Sequence, residues 1–505
     1  MILMELTAAI DADGTLRTFY LSDKLFQTEP NDSPADIAFD DTLINAGSIG
    51  LHAFSGGRTG GGTLLETGDI QIENRDGLYD AWMNYSFDNR PLVIRSGSGG
   101  AYPGDFQTLV TGTVESVDVG LEFVIVRLKD KAAILDRPVV TRVFAGTNAG
   151  PVGLEGTEDT IKGQVVPRLY GKGEVLPAPC VNASLQIYRI SDRPLAEITN
   201  VCIRGEQLGV GVDHATSSGL AGASISAGDY DTCVAEGLFR IGNSPDGVVT
   251  ADAAEGSTDE MTVAALMRRL AQDAGLTAAE LDDQAFAELN ADGPYVAGLW
   301  IADDTTFRTA LDRLSQSLAA WYAFDAAGVF RCGQLKAPGV DASADILGPE
   351  VGEGFGRRTP DGAGVPVWRV RVLYRPFGTT QDNIAAAVDD ERRSALAQEY
   401  RSVVAEDETV KHKFAAAGEL IVETLLASAA DAQALADKLL AIHSVRRDLF
   451  EVPISQELFD QGPYDLMSTV RLTHNRFGLS GGRVLRVLGR SPELGGNQLI
   501  LELWG

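Results

Sequence analysis

Cysteine, histidine, positive charge and long apolar runs are all scarce in this 505-residue chain. The four cysteines, Cys180, Cys202, Cys233 and Cys332, are widely spaced and form no CxxC pair. That spacing argues against a zinc cluster or a dense disulfide framework, and buried free thiols in a reducing cytosol are expected. The five histidines, His52, His214, His412, His443 and His474, are scattered and form no HExxH or other close ligand pair, so no zinc site is expected. No stretch approaches the roughly 18 apolar residues of a membrane span. The opening "MILM" has neither the length nor the basic flank of a secretory signal, which predicts synthesis and folding in a cytoplasm. Lysine and arginine total 42 against 71 aspartates and glutamates, a net charge of −29. Such a surface opposes tight phosphate binding and docking on anionic lipid. It fits a soluble surface or a salt-adapted source, and equally a face that must not stick to nucleic acid.

What the chain does contain is glycine, 55 residues without a three-residue period, and 44% hydrophobic residues. At roughly 100–200 residues per domain, the length predicts three or four domains. Residues 4–10, the "DADG" turn and "TLRTFYL" read as a hairpin, and 31–68 as loop, with "SGGRTGGGT" at 55–63. "DIQIENRDGLYD", "RPLVIRSG" and the hairpin "GTVESVDVGLEFVIVRLKD" (112–130) continue a β pattern. Residues 140–255 carry short apolar runs broken by Pro and Gly. From 257 the period becomes helical. Ser257 with Glu260, and Thr277 with Glu280, have capping-box spacing, and Val263, Leu266, Leu270 and Ala274 form one stripe before Gly275. A further helix carries Phe307, Leu311, Leu314 and Leu318, and "WYAFDAAGVFRCG" reads as a hairpin. After a loop-rich stretch at 340–366 comes a strand at 367–374. A helix is expected over 409–427 (Val410, Phe414, Ile421, Leu425) and another from Ser428 (Leu435, Leu439, Ile442). Three strand segments close the chain. In the last, Leu499, Leu501 and Leu503 share one face.

The fold class is therefore α+β and β-rich. The expected division is 1–139, a first barrel; 140–256, an irregular β-rich domain; 257–345, a small α+β domain; and 346–505, a second barrel with two inserted helices. The chain also repeats itself. With Gly112 set on Gly482, "GTVESV" overlies "GRVLRV", pairing Val114 with Val484 and Val117 with Val487. Val126 and Leu128 then match Leu501 and Leu503, with a turn five residues longer in the second copy. Hairpins do look alike, but two related barrels in one chain would let three subunits present six similar domains.

Four stretches carry a family likeness: "IQIENRDGLYD…RPLVIRSG" with "VTGTVESVDVGLEFVIVRLKDKAAILDRPV"; "KGQVVPRLYGKGEVLPAPCVNASLQIYRISD"; "AGDYDTCVAEGLFRIGNSPDGVVTADAAEG"; and "FAAAGELIVETLL…DAQALADKLL" running to "RLTHNRFGLSGGRVLRVLG…LILELWG". In order and coverage they resemble the tail-hub, or baseplate-hub, proteins of tailed bacteriophages, nearest in pattern to long-tailed siphophages. The resemblance implies two tube-like β-barrels, interruptible in sequence, and a homotrimer at the distal tip of the virion tail. It implies a distal tail protein or tail tube above, a tape measure protein in the lumen, and a central fibre, spike or receptor-binding protein below. Genomic DNA would pass through the channel without specific binding. An acidic lumen, rich in Asp and Glu, would repel the duplex and keep it moving.

Some phage hubs carry wall-degrading enzymes, so a hub-associated cell-wall hydrolase is the rival class, with a β-rich carbohydrate-binding protein a weaker third. The chain offers such chemistry little. Cys233 has no local companion of the thiol-protease type, and "GGRTGGGT" lacks the Lys-Ser/Thr of a phosphate loop. The many acidic residues single out no glycosidase pair. Trp504 and Tyr374 are expected in a core or interface, not as ligand platforms. Catalytic, cofactor and metal residues are accordingly expected to be none.

Overall fold

Strands whose apolar residues alternate along one face must bury that face, and two such sets of strands dominate this chain. The computed structural model describes every residue except 48, 55–59, 63, 130, 149–152, 326, 359–364 and 494–497. With 38% strand and 19% helix it is a β-rich α+β fold, and two of its sheets are curled half-barrels.

The N-terminal sheet has seven strands. In spatial order they are Leu16–Ser22, Ile2–Ala9, Pro91–Ser96, Gln107–Val119, Phe123–Lys129, Ile70–Glu73 and Leu43–Asn45, all antiparallel. The alternation read from the sequence is what is buried: Met4, Leu6, Leu92, Ile94, Val114, Val124, Val126, Ile70 and Ile72 are all withdrawn from solvent.

The C-terminal sheet runs Ala344–Leu347, Thr469–Thr473, Arg483–Glu493, Gln498–Trp504, Leu449–Ser455 and Gly356–Arg358. Its inward residues include Val470, Leu472, Leu485, Val487, Phe450 and Val452. Leu499, Leu501 and Leu503 are fully buried on one face as expected. The inner faces of both sheets join in one continuous hydrophobic core. Each fully buried Leu or Val in it contributes about 1.5–3 kcal/mol by leaving water.

Between the sheets in sequence lie two five-stranded sheets, including Arg168–Leu176 with Val249–Ala254 and Ile187–Arg189 with Leu238–Ile241. A helical core follows. Both capping boxes form, but each closes a single 3-10 turn. The helix proper, Val263–Asp273, starts after Thr262, whose hydroxyl accepts the Ala265 N–H. Its stripe of Val263, Leu266, Leu270 and Ala274 is buried, and Gly275 ends it at φ +97°, where a side chain would be strained. Phe307–Gln316 and the hairpin Ala320–Phe324 with Phe330–Gln334 complete this unit.

Two expectations fail. Part of 31–68 is not loop: Leu43–Asn45 ends the first sheet, while Ile49–His52 and Leu64–Thr67 pair as a hairpin on the second. The expected helix over 409–427 also breaks up. Only Thr409–Lys413 is helical, and Glu419–Glu423 is a strand parallel to Arg369–Tyr374. The buried residue there is Val422, while Ile421 is 56% exposed, so the period is two. Gly418 interrupts the helical pattern and the β-branched pair Ile421-Val422 favours an extended backbone. The helix Ala429–His443 does form. It packs Ala432, Leu435, Ala436 and Leu439 into the middle core rather than buttressing the second sheet, and only Ile442 reaches a cluster that includes Trp504.

Candidate functional site

The two curled sheets are copies of each other at the level of single hydrogen-bonded pairs. In the first, Val114 faces Leu128, Ser116 faces Arg127 and Val117 faces Val126, with a bulge between Val114 and Ser116. In the second, Val487 faces Leu503, Gly489 faces Glu502 and Arg490 faces Leu501, with the bulge between Val487 and Gly489. The match continues outward. Val126 pairs with Ile70 and Val124 with Ile72, as Leu501 pairs with Val452 and Leu499 with Ile454. On the other side, Gly112 pairs with Leu92 and Val110 with Ile94, as Leu485 pairs with Val470 and Arg483 with Leu472. Six strands correspond in spatial order and in chain order.

This register corrects the alignment made from sequence. Val487 corresponds to Val114, not to Val117, a slip of three positions. The turn in the second copy is correspondingly two residues longer, not five: four residues separate the paired Val119 and Val124, and six separate Pro492 and Leu499. The glycines that guided the alignment occupy different places in the two ladders.

One difference concerns the long strand of the second sheet. Past the residues paired with Thr469–Thr473, its free edge is taken by Ile49–His52 from the N-terminal half of the chain. His52 stands opposite Gly489 and Leu51 opposite Arg490, and the Ala53 N–H donates to the Leu488 carbonyl at 2.8 Å. His52 Nδ1 lies 3.1 Å from the Glu502 carboxylate. A Cβ on Gly489 would come within 2.6 Å of that imidazole and 2.9 Å of that carboxylate, so a larger residue there would have to push the His52–Glu502 pair aside.

The last strand is held by charge as well as by its leucines. Asp448 accepts hydrogen bonds from Arg357 (2.7 Å) and Arg483 (2.9 Å). Its main chain exchanges two hydrogen bonds with Gly505. Burial alone would raise the Asp448 carboxyl, but the two guanidinium hydrogen bonds outweigh it and hold it below the usual carboxylate value. Trp504 is buried with the Arg447 guanidinium 4.9 Å above its ring, and Tyr374 is half-buried against the middle core.

The scattered histidines stay apart. His214 is hydrogen-bonded to Asp231 at 2.8 Å, His474 accepts from the Arg476 N–H, and His412 is exposed. Among the described residues no group of three His, Cys, Asp or Glu side chains is placed to hold a metal ion. All four cysteines are free. Burial pushes the Cys202 thiol up to about 11 and raises those of Cys180, Cys233 and Cys332, opposite to what a nucleophilic thiolate needs. A cleft of about 400 Å³ lies between the helical unit and the second sheet, lined by Trp321, Arg331, Lys336, Asp292 and Arg490 among others. Its acidic and basic side chains are mixed, and its one thiol is the Cys332 group raised by burial. The "SGGRTGGGT" loop lies largely outside the described residues.

No family model matches the chain, and no curated protein matches it. Solved structures do. A tail protein from Neisseria meningitidis MC58 is 11% identical, with 99% of this chain and 96% of that chain covered and a TM-score of 0.42. A chain of the virion of a native gene transfer agent particle is 16% identical over 74% of this chain and 91% of that chain, also at 0.42. The 43 kDa tail protein of prophage MuSo2 from Shewanella oneidensis is 9% identical over 99% and 95%, at 0.38. At these identities and scores the likeness decides neither fold nor function for this chain.

Proposed function

We propose that this chain is a structural hub of a phage tail tip. Three copies present six like sheets, joining a sixfold tail tube to a threefold tip. The observation that carries this reading is the twin ladder: six strands in one order, with the same register through four of them and the same bulge. A duplicated unit is how a threefold assembly meets sixfold symmetry without a second gene product. The order of the hub-like stretches in the sequence supports the same conclusion.

In this role the chain sits in the virion. A tail tube or distal tail protein lies above it, tape measure protein occupies its lumen, a fibre, spike or receptor-binding protein lies below, and DNA exits through it. It acts by assembly, without a reaction of its own. The net charge of −29 fits a channel wall that repels the duplex within the ~8–10 Å reach of the field in physiological salt. Cryo-imaging or native mass measurement of the assembled tip tests the proposal. Three copies with a predominantly acidic inner wall are expected. A sixfold ring or a lone copy overturns the trimer, and a neutral or basic lumen overturns the role given to charge.

A further inference from the structure

The second sheet's long strand has its edge filled at 488–490 by Ile49–His52. The counterpart positions in the first sheet are 115–117. There, Gln107–Val119 pairs with Pro91–Ser96 only as far as Thr113, and a single bridge joins Val114 to Asp88. Beyond Val114, no backbone group among the described residues pairs with 115–119 on the side away from Phe123–Lys129. Glu115 and Asp118 are exposed. The same register therefore has an occupied edge in one copy and an open edge in the other. An open edge presents unpaired N–H and C=O groups, which a strand from another chain satisfies.

We propose that the edge at 115–119 receives an extended segment of a second copy of this chain, in the register Ile49–His52 takes on the second sheet. This rests on the trimeric hub described above. The filled edge joins a first-sheet half to a second-sheet half, head to tail. Such a contact leaves one acceptor unfilled in every chain, and its matching donor half belongs to another copy. Head-to-tail contacts close into a ring when the rotation between copies closes, as the threefold hub requires.

The chemistry of the open edge also states what fits. Where His52 meets Glu502 at the filled edge, the counterpart of Glu502 is Arg127. Arg127 now bonds Asp118 at 2.7 Å and Asp69 at 3.2 Å. A neighbour's Ile49–His52 would set its histidine beside a guanidinium in place of the Glu502 carboxylate, so the pair seen at the filled edge is not repeated here. The open edge accepts a strand carrying a neutral or acidic residue opposite Ser116.

The Ala53 bond to Leu488 shows that Leu488, and two residues on Arg490, turn their main-chain groups to the inserted strand. Their counterparts are Glu115 and Val117. Val117→Pro therefore removes an edge N–H, whereas Val117→Thr keeps both the N–H and the branched shape. The test is hydrogen exchange on the full chain, dilute and assembled, with sedimentation of both variants. Assembly is expected to slow the amides of 115–119 about tenfold or more, with 488–490 equally slow in both states. Val117→Pro is expected to weaken association about tenfold, and Val117→Thr by less than about threefold. If Val117→Pro fails to fold, exchange in the unmodified chain decides. Copies that assemble while 115–119 exchange as fast as in separate chains overturn the edge and leave the trimer standing. Copies that never assemble overturn both.

Discussion

The two curled sheets agree where they are buried and differ where they are free. Four central strands share one register, down to the bulge beside Val114 and Val487. The differences lie at the margins. Ile2–Ala9 runs antiparallel to its neighbour, while Ala344–Leu347 runs parallel to Thr469–Thr473. One long strand has an open edge and the other a filled one, and Arg127 stands where the second copy has Glu502. A one-residue slip would turn every inward side chain outward, so burial fixes the central register in both copies. Edges carry no such constraint, and there each copy answers to a different neighbour.

The comparison breaks most easily at its leucines. Removing 499–505 takes away Leu499, Leu501 and Leu503, all fully buried. At about 1.5–3 kcal/mol each, their loss rivals a domain's whole stability of ~5–15 kcal/mol. The truncated chain is expected not to assemble, and normal particles containing it would displace this strand from the core. Leu503 and Leu128 then give a matched pair, facing Val487 and Val114. Leu503→Ala and Leu128→Ala are each expected to cost about 2–5 kcal/mol in denaturant unfolding. A cost at Leu128 below about 1 kcal/mol would mean that the first sheet does not carry its counterpart's load.

A smaller effect sharpens the contrast at the edges. Gly489→Ser places an atom against His52 and Glu502. It is expected to cost about 1–3 kcal/mol and to speed amide exchange in Ile49–His52. The reverse change at the counterpart, Ser116→Gly, should cost about 0.5–1 kcal/mol, the ordinary penalty of glycine in a strand. Equal costs at the two positions would remove the distinction between filled and open edges.

The smallest effect is acid sensitivity of the second sheet. The Asp448 carboxyl is held below its unfolded value of about 3.9, so its contribution is complete above that pH and falls away as pH drops through the folded value. The acid limb of a stability–pH profile should flatten in Asp448→Asn. An unchanged limb would show that Arg357 and Arg483 do not act through this carboxylate.

The hairpins, the helical stripe and the buried last strand were legible because each is a local pattern of five or more residues. The duplication was legible too, but its register was not. Sequence matching weighted Gly112 and Gly482, whereas the ladder is set by which valines face which leucines across the sheet. Ile49–His52 was missed because four residues, with only Ile49 and Leu51 apolar, give no usable period, and the strand that places them on the second sheet, Arg483–Glu493, lies more than 400 positions away. The segment Glu419–Glu423 misled because its apolar residues also satisfy a helical spacing. Pairing with Arg369–Tyr374, invisible locally, decides between the two.

The crossing of Ile49–His52 onto the second sheet also sets a schedule. His52 and Glu502 are 450 positions apart, so at ~5–20 residues per second the ribosome supplies the partner roughly 20–90 s after the donor. Throughout that wait the segment can pair only with Leu64–Thr67, and its other edge has no second-sheet strand to join. A chain in that state carries a hairpin with one free edge that a neighbour on the same message is able to capture. Faster elongation or a chaperone that shelters the nascent N-terminal half is therefore expected to raise the yield of correctly closed subunits, and crowding of nascent chains to lower it.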